Sequence, residues 1–107
     1  MIKQILTSAG VPHKPARFPD PPKGTYAVYF DDVEVDGPDR LAQGVPRIEH
    51  HDVTVELYEP TQDSATEARL EAQLIAQGLT WTKQARYWLD SLRRYQVIYE
   101  FSYTTKS

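Results

Sequence analysis

The clearest pattern in the chain is the alternation of apolar and polar positions between residues 47 and 59. One side of this pattern collects His51, Val53, Val55 and Leu57. The other side is polar and collects His50, Asp52, Thr54, Glu56 and Tyr58. A period of two is typical of a strand with one face on the core and the other in water. We therefore predict a strand here that ends at Pro60.

Two further segments have strand character. Residues 95–103 alternate in the same way, and residues 25–35 are rich in β-branched and aromatic side chains. The second segment suggests a strand buried largely on both faces, with Asp31-Asp32 as a bulge or turn within it. Residues 79–92 fit helical and strand spacing equally well. We favour a strand over 79–89, joined to the last strand by a turn at Asp90-Ser91.

Helical spacing occurs in two places. The apolar positions of residues 2–9 predict a short amphipathic helix that stops at Gly10. Residues 62–78 predict a longer helix, in which Ser64 and Glu67 form a capping box and Glu67 stays in solvent. Asp63 adds negative charge near the start of this helix, and Gly78 caps its end.

Two segments are predicted as connectors. Residues 11–24 contain five prolines in fourteen positions and are expected to be extended and unable to join a strand ladder internally. Phe18 is the residue expected to fix this connector to the core. Residues 36–46 contain two glycines and two prolines and are expected to form an exposed loop. Loops of this length often bind a partner.

These elements predict one domain over residues 1–107 with the order α-β-β-α-β-β. The expected fold class is α+β, with an antiparallel sheet of four to five strands packed on one face by two helices.

Composition narrows the possible functions. The net charge is −3, and the lysines and arginines are not concentrated in a basic stripe, so direct nucleic-acid binding is not expected. Cysteine is absent, which excludes disulfides, thiolate metal sites and thiol nucleophiles. No segment has the character of a signal peptide or a membrane span, so a cytoplasmic location is expected.

Only the histidine pair offers candidate chemistry. His50 and Asp52 share one strand face and could approach one cation, but His51 points to the opposite face. A catalytic zinc site normally needs three protein ligands, and the third would have to come from elsewhere. No nucleophile motif, phosphate-binding loop or dinucleotide fingerprint accompanies the pair. We therefore interpret both histidines as surface or interface residues and expect no catalytic residue, no metal and no cofactor.

Four stretches together resemble a known family, the tail terminators (tail-completion proteins) of long-tailed bacteriophages and prophages. They are "FPDPPKGTYAVYFDD", "IEHHDVTVELYEP", "AQGLTWTKQARYW" and "YQVIYEFSY". The resemblance implies an α+β subunit of a ring, commonly of six copies, at the head-proximal end of the tail tube. Such a ring ends tube polymerisation and joins the tail to the head.

Further expectations follow from that resemblance. The partners would be other copies of the chain, the tail-tube protein and the head–tail connector protein, with no specific nucleic acid and no membrane. The protein would be found in the virion and, during assembly, in the cytoplasm of the bacterial host. The family implies no catalytic residues. The candidate interaction surface comprises Asp36, Asp39, Arg40, Arg47, His50, Asp52, Thr54 and Glu56.

Three alternatives remain open. The chain could be another head–tail connector, head-closure or tail-assembly protein of the same gene cluster. It could be a small adaptor that adds a peptide to a sheet edge. The least favoured alternative is a metal-dependent enzyme that uses His50 and Asp52.

Overall fold

A computed structural model describes residues 1–36 and 48–106. In chain order its elements are α1 (Ile2–Ser8), β1 (His13–Pro15), β2 (Tyr26–Val35), β3 (Ile48–Glu59), α2 (Ser64–Ala76), β4 (Trp81–Lys83), β5 (Tyr87–Leu89) and β6 (Arg94–Lys106). The predicted α+β class is confirmed. The described part of the chain holds six strands, against the four to five expected.

The sheet is built around β3, which lies between β2 and β6. The strand order is β1-β2-β3-β6-β4, and β5 also pairs with β6. All pairs are antiparallel except β1 with β2, which is parallel. Val55 of β3 lies opposite Tyr29 of β2 and Tyr99 of β6. Because β3 pairs with β6 along its whole length, these three strands form one long ribbon.

Both helices pack on one face of this ribbon, as the alternation in β3 predicted. The strands contribute Ala27, Tyr29, Val53, Val55, Leu57, Val97, Tyr99 and Phe101 to the core. The helical side of the core consists of Ile2, Ile5, Leu6, Ala9, Leu70 and Leu74. Removal of these side chains from water supplies the main driving force for folding.

Each helix ends in the same motif. Gly10 and Gly78 have φ angles of 73° and 71°, a region that glycine enters without steric cost. After α1, the amides of Gly10 and Val11 donate to the carbonyls of Thr7 and Leu6. The equivalent bonds follow α2 at Gly78 and Leu79. These are Schellman motifs, and both predicted glycine stops are confirmed.

The start of α2 differs from the prediction. The N-cap is Asp63, whose Oδ1 accepts a hydrogen bond from the amide of Thr66 at 3.1 Å. The helix therefore begins at Ser64, and the expected capping box between Ser64 and Glu67 is wrong. Glu67 is buried and not in solvent, because its carboxylate turns towards the cations Arg86 and Lys83.

The proline-rich connector contains a strand that the sequence analysis missed. His13–Pro15 forms β1 and pairs with residues 27–29 of β2. The amide of Ala27 donates to the carbonyl of Pro12, and the amide of Ala16 donates to the carbonyl of Tyr29. Proline is tolerated on an edge strand, where its nitrogen need not donate to a neighbouring strand. The expectation that residues 11–24 cannot join a ladder is therefore wrong.

Two strand predictions have different outcomes. Asp31 and Asp32 form neither a bulge nor a turn, because their pairing with Val53 and Asp52 continues the register of β2 without a break. The strand is buried on both faces only at its first four residues. Residues 79–92 contain no helix, as favoured, but the single strand predicted over 79–89 is instead two short strands, β4 and β5, which both pair with β6. A turn over 90–93 joins β5 to β6.

The ribbon extends beyond the helices. We call its far end the arm, formed by residues 32–36, 48–52 and 102–106, and we call the remaining described residues the body. β1 pairs with β2 only at 27–29, and β4 pairs with β6 only at 99–101. Within the described residues, both edges of the arm therefore lack a neighbouring strand. The arm gives the molecule its elongated shape of 52 × 27 × 22 Å.

Candidate functional site on the open face of the sheet

The face of the sheet opposite the helices is covered only at its body end. Phe18 packs edge-on against Tyr26 at 5.3 Å between ring centroids, and Tyr26 stacks on Tyr58 at 5.1 Å. Arg94 donates hydrogen bonds to the carbonyls of Pro22, Lys23 and Gly24. Phe18 thus does fix the connector, on the face away from the helices. We call the uncovered remainder of this surface the open face.

A groove of about 490 Å³ crosses the open face. It is lined by Asp32, Asp52, Val53, Thr54, Thr80, Thr82, Glu100, Phe101 and Ser102. Three residues at the base of the groove are direct neighbours across the sheet. Asp32 of β2 pairs with Asp52 of β3, and Asp52 pairs with Ser102 of β6. The groove is thus built by side chains from four neighbouring strands, β2, β3, β6 and β4.

The groove is acidic. Asp32 and Asp52 lie directly opposite each other, and like charges in that position destabilise a sheet. Hydroxyl and amide donors offset part of this repulsion: Ser102 Oγ donates to Asp52 at 2.6 Å, and Gln84 Nε2 donates to Glu100 at 2.6 Å. No lysine or arginine is among the described residues that line the groove. The groove therefore offers carboxylate oxygens to a partner that carries donors or positive charge.

The two adjacent histidines lie on opposite faces, as the strand period predicted. The side chain of His50 is 49% exposed on the open face, and its Nε2 lies 3.1 Å from Asp36 Oδ1. His51 is buried on the helix face, stacked on Tyr103 with ring centroids 4.4 Å apart, and its Nδ1 lies 2.8 Å from Asp31 Oδ1. Of the two histidines interpreted as surface or interface residues, His50 lies at the surface, and the surface alternative is wrong for His51.

Five of the eight predicted interaction residues gather on the open face. These are Asp36, His50, Asp52, Thr54 and Glu56, and Glu56 accepts a hydrogen bond from the Tyr58 hydroxyl at 2.8 Å. Asp39, Arg40 and Arg47 lie outside the described residues, as does most of the predicted loop 36–46.

The sequence analysis missed the groove residues that other strands contribute. Asp32, Glu100, Ser102 and the two threonines at 80 and 82 were not selected. Asp32 lies on β2, Glu100 and Ser102 lie on β6, and the threonines lie just before or on β4, whereas His50 and Asp52 lie on β3. Only the register of the sheet brings these residues together. The alternation within 95–103 had placed Glu100 and Ser102 on the polar side. That signal could have found them.

A second polar cluster lies on the helix face of the body, with Glu59 and Glu67 buried at its centre. Arg86 donates to Glu67 Oε2 at 2.5 Å and to Glu59 Oε1 at 3.3 Å. Lys83 Nζ lies 2.8 Å from both Glu67 and Glu71, and the Tyr99 hydroxyl donates to Glu71 at 2.7 Å. Glu59, the last residue of β3, is fully buried. The cluster ties β3, α2 and the β4–β5 segment together.

The pKa values of the two buried carboxyl groups of this cluster shift in opposite directions. Burial and, next, the adjacent Glu67 carboxylate raise the pKa of Glu59 to about 7. Burial alone would also raise the pKa of Glu67, but hydrogen bonds from Glu59, Lys83 and Arg86 bring it below its ordinary value. Of the two groups, Glu59 is therefore the one that is protonated more readily, and Glu67 carries the charge that Arg86 and Lys83 neutralise.

Two features are absent from the described residues. In residues 1–36 and 48–106, no three side chains of the metal-binding types come together as a ligand group. Over the same ranges, neither helix has the length and apolar character needed to cross a membrane.

The described elements define a small α+β protein with a mixed, mostly antiparallel sheet and helices on one face. The family models searched include none that matches this chain, and the curated proteins include no match either.

Proposed function

We propose that this protein is a structural subunit without enzymatic activity that acts through protein–protein contacts. Its proposed role is that of a tail terminator of a long-tailed phage or prophage, in a ring at the head-proximal end of the tail tube. There it ends tube polymerisation and joins the tail to the head. The observation that carries this proposal is the arm, a three-stranded extension of the sheet that projects beyond the helices.

The arm has the properties of a contact surface. Its strands have free edges among the described residues, and free edges are templates for pairing with other chains. Val33 and Val35 on β2 are 47% and 37% exposed, in a segment that the helices do not cover. Exposed apolar side chains on a free strand edge are stabilised when a partner covers them.

The charge of the arm supports the same role. Its described residues include five carboxylates, Asp32, Glu34, Asp36, Glu49 and Asp52, against one lysine, Lys106. Such a surface attracts a basic or donor-rich partner and repels nucleic-acid phosphates. A ring through which DNA passes benefits from that repulsion, and the acidic groove on the open face adds to it.

The sequence resemblance supplies the proposed partners. They are other copies of the chain, the tail-tube protein and the head–tail connector protein, with six copies as the expected ring. The proposed location is the neck of the virion, after assembly in the host cytoplasm.

A tube-polymerisation assay tests this function. The tail-tube protein from the same genome is polymerised with and without this chain, and tube lengths are measured by electron microscopy. We expect shorter tubes that carry a ring at one end. A double variant, Val33→Asp with Val35→Asp, should lose this effect, while the exposed body variant Ile75→Asp should keep it. Unchanged tube lengths with bare ends, or a genome without a tail-tube gene, would contradict the proposal.

A further inference from the structure

The two outer strands of the arm leave opposite edges of the sheet without a neighbour among the described residues. We call them the β2 edge, residues 32–35, and the β6 edge, residues 102–106. Both edges span the same rows of the sheet, since the row of Val33 ends at Tyr103 on the other side of β3. β2 and β6 run in the same direction, because each is antiparallel to β3. A second copy in the same orientation therefore brings its β2 edge level with the β6 edge of the first.

The backbone groups of the two edges are in phase for parallel pairing. The carbonyl of Tyr29 bonds β1, so the alternate residues after it, Val33 included, direct their amides and carbonyls to the same edge. The carbonyl of Ile98 accepts a hydrogen bond on the β4 side, so Ser102 and Thr104 direct theirs to that edge. In a parallel pair, the Val33 amide donates to the Ser102 carbonyl, and the Thr104 amide donates to the Val33 carbonyl.

The side chains of the two edges match on each face of the sheet. On the helix face, the exposed Val33 and Val35 come beside Tyr103 and Thr105. On the open face, each carboxylate comes beside a hydroxyl or ammonium group: Asp32 beside Ser102, Glu34 beside Thr104, and Asp36, whose amide bonds the Ile48 carbonyl, beside Lys106. Aromatic and β-branched neighbours, and acceptors beside donors or cations, stabilise adjacent strands.

Charge selects the pairing of unlike edges. Two β2 edges in contact would place Asp32 directly opposite Glu34 of the partner, and like charges in that position destabilise a sheet. The β6 edge has no carboxylate, and its one charged residue is Lys106. Contact between two β6 edges would leave the acidic β2 edges and their valines uncovered. The β6 edge of a second copy is therefore the occupant that suits the β2 edge on both faces.

We propose that the β2 edge of one copy pairs in parallel with the β6 edge of the next copy, with Val33 and Val35 beside Tyr103 and Thr105. This inference rests on the proposed function, because the pairing would form the interface between ring subunits. The contact is heterologous, so each added copy presents one free edge of each kind. Paired residues lie in the same row, so an added copy is not displaced along the strands. Assembly therefore closes into a ring and does not continue as a filament.

The bodies of neighbouring copies splay apart in this assembly. At the level of the body, β1 and β4 each add one strand, about 5 Å wide, between β2 of one copy and β6 of the next. Neighbouring copies therefore pair only beyond these two strands, at the rows of Val33 to Val35. The ring is narrow at the arms and flares towards the bodies.

Disulfide trapping tests the pairing directly, since the chain contains no cysteine. The variant Val35→Cys with Thr105→Cys is oxidised with diamide at several protein concentrations and resolved by non-reducing electrophoresis. Within one chain these positions lie two strands apart, about 10 Å, which is too far for a disulfide. We expect a ladder of covalent oligomers that grows with concentration and ends at the closed ring.

Matched variants control for random collision. Val35→Cys with Thr104→Cys places the second thiol on the open face and should give no ladder. The single variants Val35→Cys and Thr105→Cys should each stay monomeric, while their equimolar mixture should form a covalent heterodimer. Circular dichroism checks that every variant is folded. If Thr105→Cys unfolds the arm, Val33→Cys with Tyr103→Cys tests the same register in the next row of the helix face.

A charge exchange tests the same contact without a covalent bond. Asp36→Lys and Lys106→Glu should each weaken self-association in sedimentation velocity by about tenfold, because each places like charges side by side. The chain with both substitutions restores an opposite-charge pair and should recover most of the loss. No recovery in the folded double variant would contradict the register.

Three trapping results would overturn the inference: no ladder from Val35→Cys with Thr105→Cys, equal cross-linking with Thr104→Cys, or single variants that form homodimers as readily as the mixture forms heterodimers. The last result would show that like edges pair. The proposed function can fail separately. A ladder from a chain that has no effect on tail tubes would remove the function and leave the pairing. Shortened tubes without a ladder would remove the pairing and leave the function.

Discussion

The body and the arm are built from the same three strands, yet they differ in almost every physical respect. In the body, β2, β3 and β6 carry Ala27, Val55 and Tyr99 beneath two helices, and these residues are fully buried. In the arm, the same strands have free edges and carry exposed valines and carboxylates. One continuous register passes through both regions.

This difference means that the body stabilises the fold, while the arm is available to contact a partner. Burial of apolar area stabilises the fold in the body, and the cluster around Glu59 lies there as well. The arm contributes little burial of its own, so its residues can serve a partner at small cost to folding. Substitutions can test that division by comparing a body residue with an arm residue, or two neighbours in the arm. All stability measurements are made at concentrations where the protein is monomeric.

The largest effect is expected from Arg86→Ala in the body. This change leaves the buried carboxylates Glu59 and Glu67 without their guanidinium partner. The free energy of unfolding should fall by about 2–3 kcal/mol, since Arg86 is itself partly exposed. Lys106→Ala in the arm should change it by less than about 0.5 kcal/mol. Urea denaturation measures both, and equal losses would contradict the division.

A matched pair of valines gives the next largest difference. Val55 is fully buried in the body, and Val33 is 47% exposed in the arm. Val55→Ala should cost about 2 kcal/mol through lost burial and the cavity left behind. Val33→Ala should cost less than about 0.5 kcal/mol. A shift of the denaturation midpoint by Val33→Ala as large as that of Val55→Ala would show that the arm is part of the folding core.

The raised pKa of Glu59 predicts a pH dependence that belongs to the body. The pKa of Glu59 is about 7 in the folded state, above its value in the unfolded chain. Its contribution to stability is therefore complete below about pH 4.5 and is lost as the pH rises through 7. We expect a loss of roughly 1–2 kcal/mol between pH 5 and 8.

Two variants assign this pH dependence. Glu59→Gln keeps the shape of the side chain but cannot ionise, so its stability should change little over this range. Glu34→Gln in the arm should keep the wild-type profile. If thermal melts of Glu59→Gln follow the wild-type profile, the proton does not reside on this pair.

The smallest effect compares the two neighbouring histidines. His51→Ala removes the stack on Tyr103 and the hydrogen bond to Asp31, and should cost about 1 kcal/mol. His50→Ala removes a contact between exposed side chains and should cost less than about 0.5 kcal/mol. Chemical denaturation measures both variants, and an equal cost would mean that the two faces of the arm are not distinct.

The sequence could predict those features that depend on local periodicity. Alternation in β3 gave the correct faces for Val53, Val55 and Leu57, and it separated His50 from His51. The glycines that end both helices could also be predicted, because the residue after a helix often adopts the left-handed backbone conformation, which favours glycine. These features follow from neighbours in the chain and require no knowledge of the remaining structure.

The features that could not be predicted depend on distant partners. β1 was missed because a three-residue parallel edge strand among prolines has no periodic signal of its own. The burial of Glu59 and Glu67 depends on Arg86, which lies 27 and 19 residues away. The acidic groove needs the register of four strands before Asp32, Asp52 and Glu100 are seen together.

Amide hydrogen exchange measured at low and high protein concentration tests the central claim most directly, namely that the arm is a contact surface held by a stable body. At low concentration, residues 32–35 of β2 should exchange quickly, while β3 and β6 within the body exchange slowly. At high concentration, protection should rise at residues 32–35 and stay unchanged in the body. Arm amides as slow as those of the body at every concentration would contradict the account.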